Sequence, residues 1–275
     1  MIICADDFGL APDVDEAILR LAHAKRISAV SVMAARLSEP TPTLETLAQW
    51  HDRLDIGLHL VLTDEPGLMP SEVNDSLHRN GGFLNFGRLL RHSLCDGVRA
   101  ADAQKEIVTQ YEWFESLMGF PPDFVDAHRH VQQFFGIRRG LLDFVVALPE
   151  DKRPYIRNAY EPFAAVWRRG VAPLKCWWIG LLGGDLRQQL LARGIATNDG
   201  FAGICDYTRW QDYPSALERM LHHARPGNYL IMAHPGLCED WRRAEFDGLR
   251  AAMMPSGEPS RFRRTRLGAA AQHLL

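Results

Sequence analysis

Nowhere in the 275 residues does an apolar run approach the roughly 18 residues of a membrane span, so no membrane-spanning segment is expected. The opening MIICADDFG sets two carboxylates ahead of any stretch of leader length, and the expectation is a cytoplasmic chain. Charge of one sign is missing as well. Lys and Arg total 31 against 34 Asp and Glu, and a net charge of −3 is too mild for a nucleic-acid partner held by the overall field. The five cysteines (Cys4, Cys95, Cys176, Cys205, Cys238) are scattered, odd in number and free of any CxxC pair. That argues against a disulfide framework and against a cysteine-rich zinc site. There is no repeat, no linker and no glycine-rich GxGxxG turn. What remains, 47% hydrophobic and 24% charged, is the composition of a globular core and excludes disorder and collagen-like fibres.

Buried strands and amphipathic helices alternate along the chain. Residues 1–5 form a short apolar run, and Pro12-Asp13 opens a helix whose Val14, Ala17, Ile18 and Leu21 make one stripe. Residues 28–33 (SAVSVM) read as a strand, 40–50 as a helix and 54–62 (LDIGLHLVL) as a second buried strand. Residues 63–100, with Pro66, Pro70 and Gly81-Gly82, read as a long excursion with little regular structure, a place where function often resides. An amphipathic helix over 101–118 ends at Gly119, a strand follows at 124–127, and a weaker strand lies at 155–157. A helix over 185–193 is capped by Gly194, and 229–233 (YLIMA) is a clear apolar strand. This succession predicts a single α/β domain, more naturally a barrel than an open sheet.

Polar residues gather where those strands end. Asp6-Asp7, His59, His128 with His130, and His234 all lie at or just past a strand's C-terminal end, and in a parallel barrel these ends share one face. Desolvating such groups is costly unless they are paired or bind a metal. Asp6 and Asp7 are consecutive, so in extended backbone they point to opposite sides and can hold different jobs; a turn or helix cap is the bland alternative. In Asp126-Ala127-His128-Arg129-His130 the i, i+2, i+4 spacing puts Asp126, His128 and His130 on one side of an extended segment. Two imidazoles and a carboxylate from another strand make a divalent-metal site with open positions. His59 alone would read as a core histidine, and His234 before Pro235-Gly236 as a turn residue or a rigidly presented general acid.

Together, Ala5-Asp6-Asp7-Phe8-Gly9, Gly57-Leu58-His59-Leu60, Asp126-Ala127-His128-Arg129-His130 and Ala233-His234-Pro235-Gly236 resemble the YdjC-like carbohydrate deacetylases. That family includes chitooligosaccharide deacetylases and relatives associated with hopanoid biosynthesis. The resemblance runs from Met1 to about Leu249. It implies a distorted (β/α) TIM-like barrel over residues 1–250, one divalent metal ion (Mg or Zn foremost), and hydrolytic removal of acetyl from an N-acetylated mono- or oligosaccharide. Matched by motif, Asp7, His59 and His128 are the metal ligands, Asp6 the general base, His234 the general acid and Arg157 a substrate-facing arginine. The choice between His128 and His130 as inner ligand stays open, as does a homodimer. Gln132 stands where family members often carry a further histidine. Arg242, Glu245 and Leu249 fit a family-like RxxE helix, whereas residues 251–275 form an atypical basic tail. Its RFRRTR stretch (261–266) reads as a solvated or frayed terminus, with binding to anionic surfaces as the alternative.

The reaction these residues imply is metal-assisted amide hydrolysis with a bell-shaped rate profile, because it needs a deprotonated base and a protonated acid together. The same constellation also serves a metal-dependent phosphoesterase. A non-catalytic sugar-binding barrel, with Trp177, Trp178, Trp210 and Trp241 stacking on sugar rings, is the third reading.

Overall fold

The computed structural model describes residues 1–254 and 257–263. The first strand, β1 (Ile2–Phe8), runs three residues beyond its apolar start and carries Asp6 and Asp7 inside the sheet. Helix α1 (Pro12–His23) follows, with Pro12 in its first turn and the predicted stripe buried. Then come β2 (Ala29–Val32), α2 (Pro42–Ala48) and β3 (Asp55–Leu60). The excursion at 63–100 is more ordered than its turn-rich sequence suggests. It holds a small antiparallel ribbon, β4 (His78–Arg79) with β5 (Gly82–Phe83), and the nine-residue helix α3 (Phe86–Leu94), capped by the Asn85 side chain.

Helix α4 (Ala100–Met118) ends at Gly119, whose φ of 78° suits the left-handed cap that closes the helix. It leads to β6 (Phe124–Ala127), α5 (Ile137–Ala147) and β7 (Tyr155–Ile156). Helices α6 (Phe163–Arg169) and α7 (Pro173–Ala192) precede β8 (Gly200–Ala202). The helix expected over 185–193 is thus only the second half of α7, because the tryptophans and glycines of residues 175–184 obscure its period. Helix α8 (Tyr213–His222), β9 (Tyr229–Ala233) and α9 (Asp240–Ala251) complete the order.

Among the described residues, seven parallel strands form one curled sheet in the order β7-β6-β3-β2-β1-β9-β8. Of the expected TIM-like barrel the structure shows a curled, half-barrel sheet; among the described residues β7 and β8 share no ladder, and a single parallel bridge joins Ile156 to Thr197. Both strands are too short to pair along their length, and they are laced instead through residues 196–198. The Ile156 amide donates to the Ala196 carbonyl at 2.9 Å, and Asn158 and Asn198 exchange side-chain hydrogen bonds with each other's backbone. Alternate faces of the strands fill two apolar clusters, one under the helices and one inside the curl around Ile2, Cys4, Phe124, Phe201 and Leu230. The start of the basic tail does not fray. Arg261 pairs with Asp55 at 2.6 Å, Phe262 stacks on Tyr155 with ring centroids 4.0 Å apart, and Arg263 exchanges hydrogen bonds with Asn228. Arg264, Thr265 and Arg266 lie outside the described residues.

Candidate active site

All four polar strand ends meet at one mouth. A cavity of about 560 Å³ opens there, lined among others by Asp6, Asp7, His59, His128, Arg157 and His234. The two aspartates do not split to opposite faces, as extended backbone would require. A bulge in the pairing of β1 with β2, between Ala5 and Phe8, coincides with a φ of 72° at Asp7. That left-handed residue turns the second carboxylate to the mouth beside the first, and such non-glycine strain concentrates at functional sites.

Asp7 Oδ1 lies 3.4 Å from His59 Nε2 and 3.3 Å from His128 Nδ1. Burial would raise the Asp7 pKa, but the nearby His128 and His59 imidazoles outweigh it and hold the carboxyl well below its usual range. His59 is set from behind. Its register partner across β3 and β6 is Asp126, whose Oδ1 accepts from His59 Nδ1 at 2.7 Å and also from the Ser31 hydroxyl. Burial would lower the His59 pKa, yet the Asp126 carboxylate and its neighbours raise it to about 10. Asp126 therefore backs His59 rather than joining His128 and His130 in one row.

That row fails because the strand stops at Ala127. Arg129 and His130 both take left-handed backbone, with φ of 56° and 60°, and the chain turns through a short 3-10 segment. His128 stays at the cluster, while His130 packs edge-on against Phe201, with ring centroids 5.5 Å apart. Burial first, and then the charge of Arg157, hold His130 well below the ordinary imidazole pKa. Gln132 is buried and donates to the Arg157 carbonyl at 3.1 Å, away from the mouth.

Arg157 is 1% exposed and takes both oxygens of Asp6 in a fork, each at 2.7 Å; Nη1 also lies 2.7 Å from Asp126. Its two terminal nitrogens are therefore directed at carboxylates, while Nε has no hydrogen-bond partner among the described residues. His234 reaches over the other side of Asp6, with Nε2 4.0 Å from Asp6 Oδ2. Its backbone N–H donates to Glu245 of α9, and its Nδ1 lies 3.4 Å from the Tyr207 hydroxyl. Burial lowers the His234 pKa, but Glu245 more than offsets this and the net shift is upward. From the same helix Arg242 donates to Asp7 Oδ2 at 2.8 Å.

Sequence reasoning missed Ser31, Lys175 and Tyr207. Lys175 lines the mouth, donates to the Cys205 carbonyl at 2.9 Å and sits over the Tyr207 ring. Nothing in their local sequence marks them. Of the four tryptophans considered for sugar stacking, Trp241 lines the cavity and Trp210 lines a neighbouring one of about 240 Å³. Trp177 and Trp178 lie exposed on α7. Glu65 and Phe86, from the excursion, also reach the mouth.

The donor set suits a cation. Asp7 Oδ1 is buried and has no hydrogen-bond partner, and its spacings to the two imidazole nitrogens match ligands of one ion at about 2.1 Å, which lie roughly 3.0–3.4 Å apart. The second group of close ligating atoms, Cys4, Asp6 and Asp126, already surrounds the Arg157 guanidinium. All five cysteines are free.

Carboxylates and imidazoles gathered at the C-terminal ends of a curled parallel sheet lie where α/β folds of this kind place their functional sites. The family model for the YdjC-like protein matches residues 1–261, and the chain belongs to that family. It is 29% identical over 181 residues to a carbohydrate deacetylase of Xenopus laevis, covering 65% of this chain and 54% of that protein. The carbohydrate deacetylase of Homo sapiens is 27% identical over 257 residues, covering 86% and 74%. A chitooligosaccharide deacetylase of Proteus mirabilis is 31% identical over 134 residues, covering 49% and 50%. The chain thus spans about half the length of most of the curated relatives it matches. A crystal structure titled "putative cellobiose-phosphate cleavage protein", from Enterococcus faecalis V583, shares the fold with a TM-score of 0.67 at 20% identity, over 95% of both chains. Among the described residues no helix is long and apolar enough to cross a membrane.

Proposed function

We propose that the protein is a metal-dependent carbohydrate N-deacetylase that removes acetyl from an N-acetylated sugar. The observation that carries this reading is the convergence of Asp7, His59 and His128 beside Asp6 and His234 on one cavity. The relatives named carbohydrate and chitooligosaccharide deacetylases support it.

Asp7, His59 and His128 would hold one divalent ion, with Mg or Zn the first to test. When bound it supplies a Lewis acid for the acetyl carbonyl and a lowered pKa for attacking water. The rest falls to the chain's own groups. Asp6 accepts the proton of the attacking water. The Arg157 fork fixes the rotamer of Asp6, so the substrate-facing role expected for Arg157 gives way to one of holding the base. His234 presents Nε2 to the cavity and donates a proton to the departing nitrogen, which leaves poorly without one. The upward shift of its pKa suits a group that must enter the reaction protonated. Asp126 fixes the tautomer of His59 by accepting from Nδ1, which leaves Nε2 free for the ion.

Acetate release from N,N′-diacetylchitobiose tests this, with metal-stripped protein, single metals added back and Asp6→Asn alongside. Activity that returns with metal and vanishes in the variant is expected. Phosphate release from a phosphorylated sugar with no acetate from any N-acetyl sugar would replace the reading with a phosphoesterase.

A further inference from the structure

Arg242 spends its whole guanidinium at the site. Nη2 donates to Asp7 Oδ2 at 2.8 Å, Nη1 to the His234 carbonyl at 3.4 Å, and Nε to Glu239 Oε2 at 2.9 Å. Its plane lies over Trp241, 4.3 Å from the ring centroid. Its side chain is 6% exposed, while Glu239 at the far end is 60% exposed and fixes the fork from the solvent side. The backbone is tied in as well. The Gly236 amide donates to the Arg242 carbonyl at 3.2 Å, and a Cβ on Gly236 would sit 3.0 Å from the Arg242 side chain. One oxygen of Asp7 is thus taken, and the other, Oδ1, has no hydrogen-bond partner and faces the two imidazoles.

We propose that Arg242 is a positioning residue: by occupying Asp7 Oδ2 it offers the cation a single oxygen, and by bonding the His234 carbonyl it ties that ligand to the turn carrying the proton donor. The proposal rests on Asp7 being a metal ligand, as inferred above. A planar fork reaches acceptors in three directions at once; an ammonium at the end of a lysine carries the same charge without that geometry. If charge alone mattered, lysine would replace arginine. If position matters, lysine fails much as glutamine does.

The test is the dissociation constant of Zn²⁺ by competition with a chromophoric chelator, measured on the full chain as wild type, Arg242→Lys, Arg242→Gln and Glu239→Gln. Melting temperatures of the metal-free proteins run in parallel. Both Arg242 variants are expected to bind Zn²⁺ about 10- to 100-fold more weakly, the scale for groups that orient a ligand. Glu239→Gln should weaken it by a smaller factor in the same direction. Wild-type affinity in Arg242→Lys, or in both Arg242 variants, overturns the proposal. Should neither Arg242 variant fold, Glu239→Gln decides by the same measurement, and wild-type affinity there overturns it. Failure of the wild type itself to bind Zn²⁺ or another divalent ion would overturn the ligand assignment beneath it. Tight binding without acetate release would reject only the deacetylase reading.

Discussion

Arg157 and Asp6 are 151 residues apart in sequence and form a fork with two 2.7 Å contacts, each side chain only 1% exposed at the floor of the cavity. An ion pair this deep does not by itself stabilise much, since desolvation offsets attraction. Removing one partner is another matter. Asp6 and Asp126 would then lose the guanidinium that both of them pair with.

Arg157→Ala is therefore expected to cost about 3–5 kcal/mol of stability, read from urea denaturation at neutral pH. Arg157→Lys should keep much of that stability and lose turnover, because a single ammonium cannot hold both oxygens of Asp6. Equal turnover in Arg157→Lys and wild type would remove the fork from the mechanism.

If His234 is the proton donor, as proposed, it and Glu245 should set the alkaline side of the rate profile. Glu245 raises the His234 pKa against the lowering effect of burial. The descending limb of kcat/KM should lie above the ordinary imidazole range of about 6.5. Glu245→Gln removes the negative charge, so the limb should move to lower pH. His234→Ala should lower kcat by about 10²- to 10⁴-fold. A limb that stays in place in Glu245→Gln would separate His234 from the titration.

A divalent ion that binds only the folded state raises the melting temperature by mass action. At a concentration a hundredfold above its dissociation constant the gain is about 2.7 kcal/mol. Chelator should reverse this, and His128→Ala should abolish most of it, whereas His130→Ala should leave most of it. Equal responses in the two variants would make the ligand choice wrong.

Asp15, which does not line the cavity, should give stability a pH dependence of its own. Burial raises its pKa to about 6 against the hydrogen bonds from the Gly9 amide and Thr43, so the folded state binds more protons than the unfolded one between about pH 4 and pH 6. Its contribution is stabilising below that window and is lost as pH rises through it. Asp15→Asn, which cannot ionise, should gain relative to wild type on going from pH 4 to pH 7, by up to about 3 kcal/mol. A constant difference between the two proteins across that range would exclude Asp15 as the cause.

The first residues of the tail hold the opposite end of the sheet. Phe262→Ala removes the stack on Tyr155 and should cost about 0.5–1.5 kcal/mol beyond the lost apolar contact. Zinc affinity should be unaffected, because Asp55 and Tyr155 start their strands while the proposed ligands sit at the other ends.

The sequence by itself determined where the polar groups would gather. A buried parallel strand is an uninterrupted apolar run, so a carboxylate or imidazole at its end stands out, and β3, β6 and β9 were legible within two residues for this reason. The α7 helix was half hidden because Trp177, Trp178 and three glycines spoil its period, and β8 was missed because three residues carry no pattern. Tertiary structure decided the rest. Left-handed backbone at Asp7, Arg129 and His130 overrode the two-residue alternation that the sequence implied, bringing Asp7 beside Asp6 and turning His130 away from His128. The partners that hold the site were settled by sheet order and by the packing of α9. Asp126 lies beside His59 only because β6 pairs with β3, and Arg242 reaches Asp7 across 235 residues of chain. Local periodicity carries no record of such distances, because a contact between segments far apart in sequence depends on how the strands pair and the helices pack.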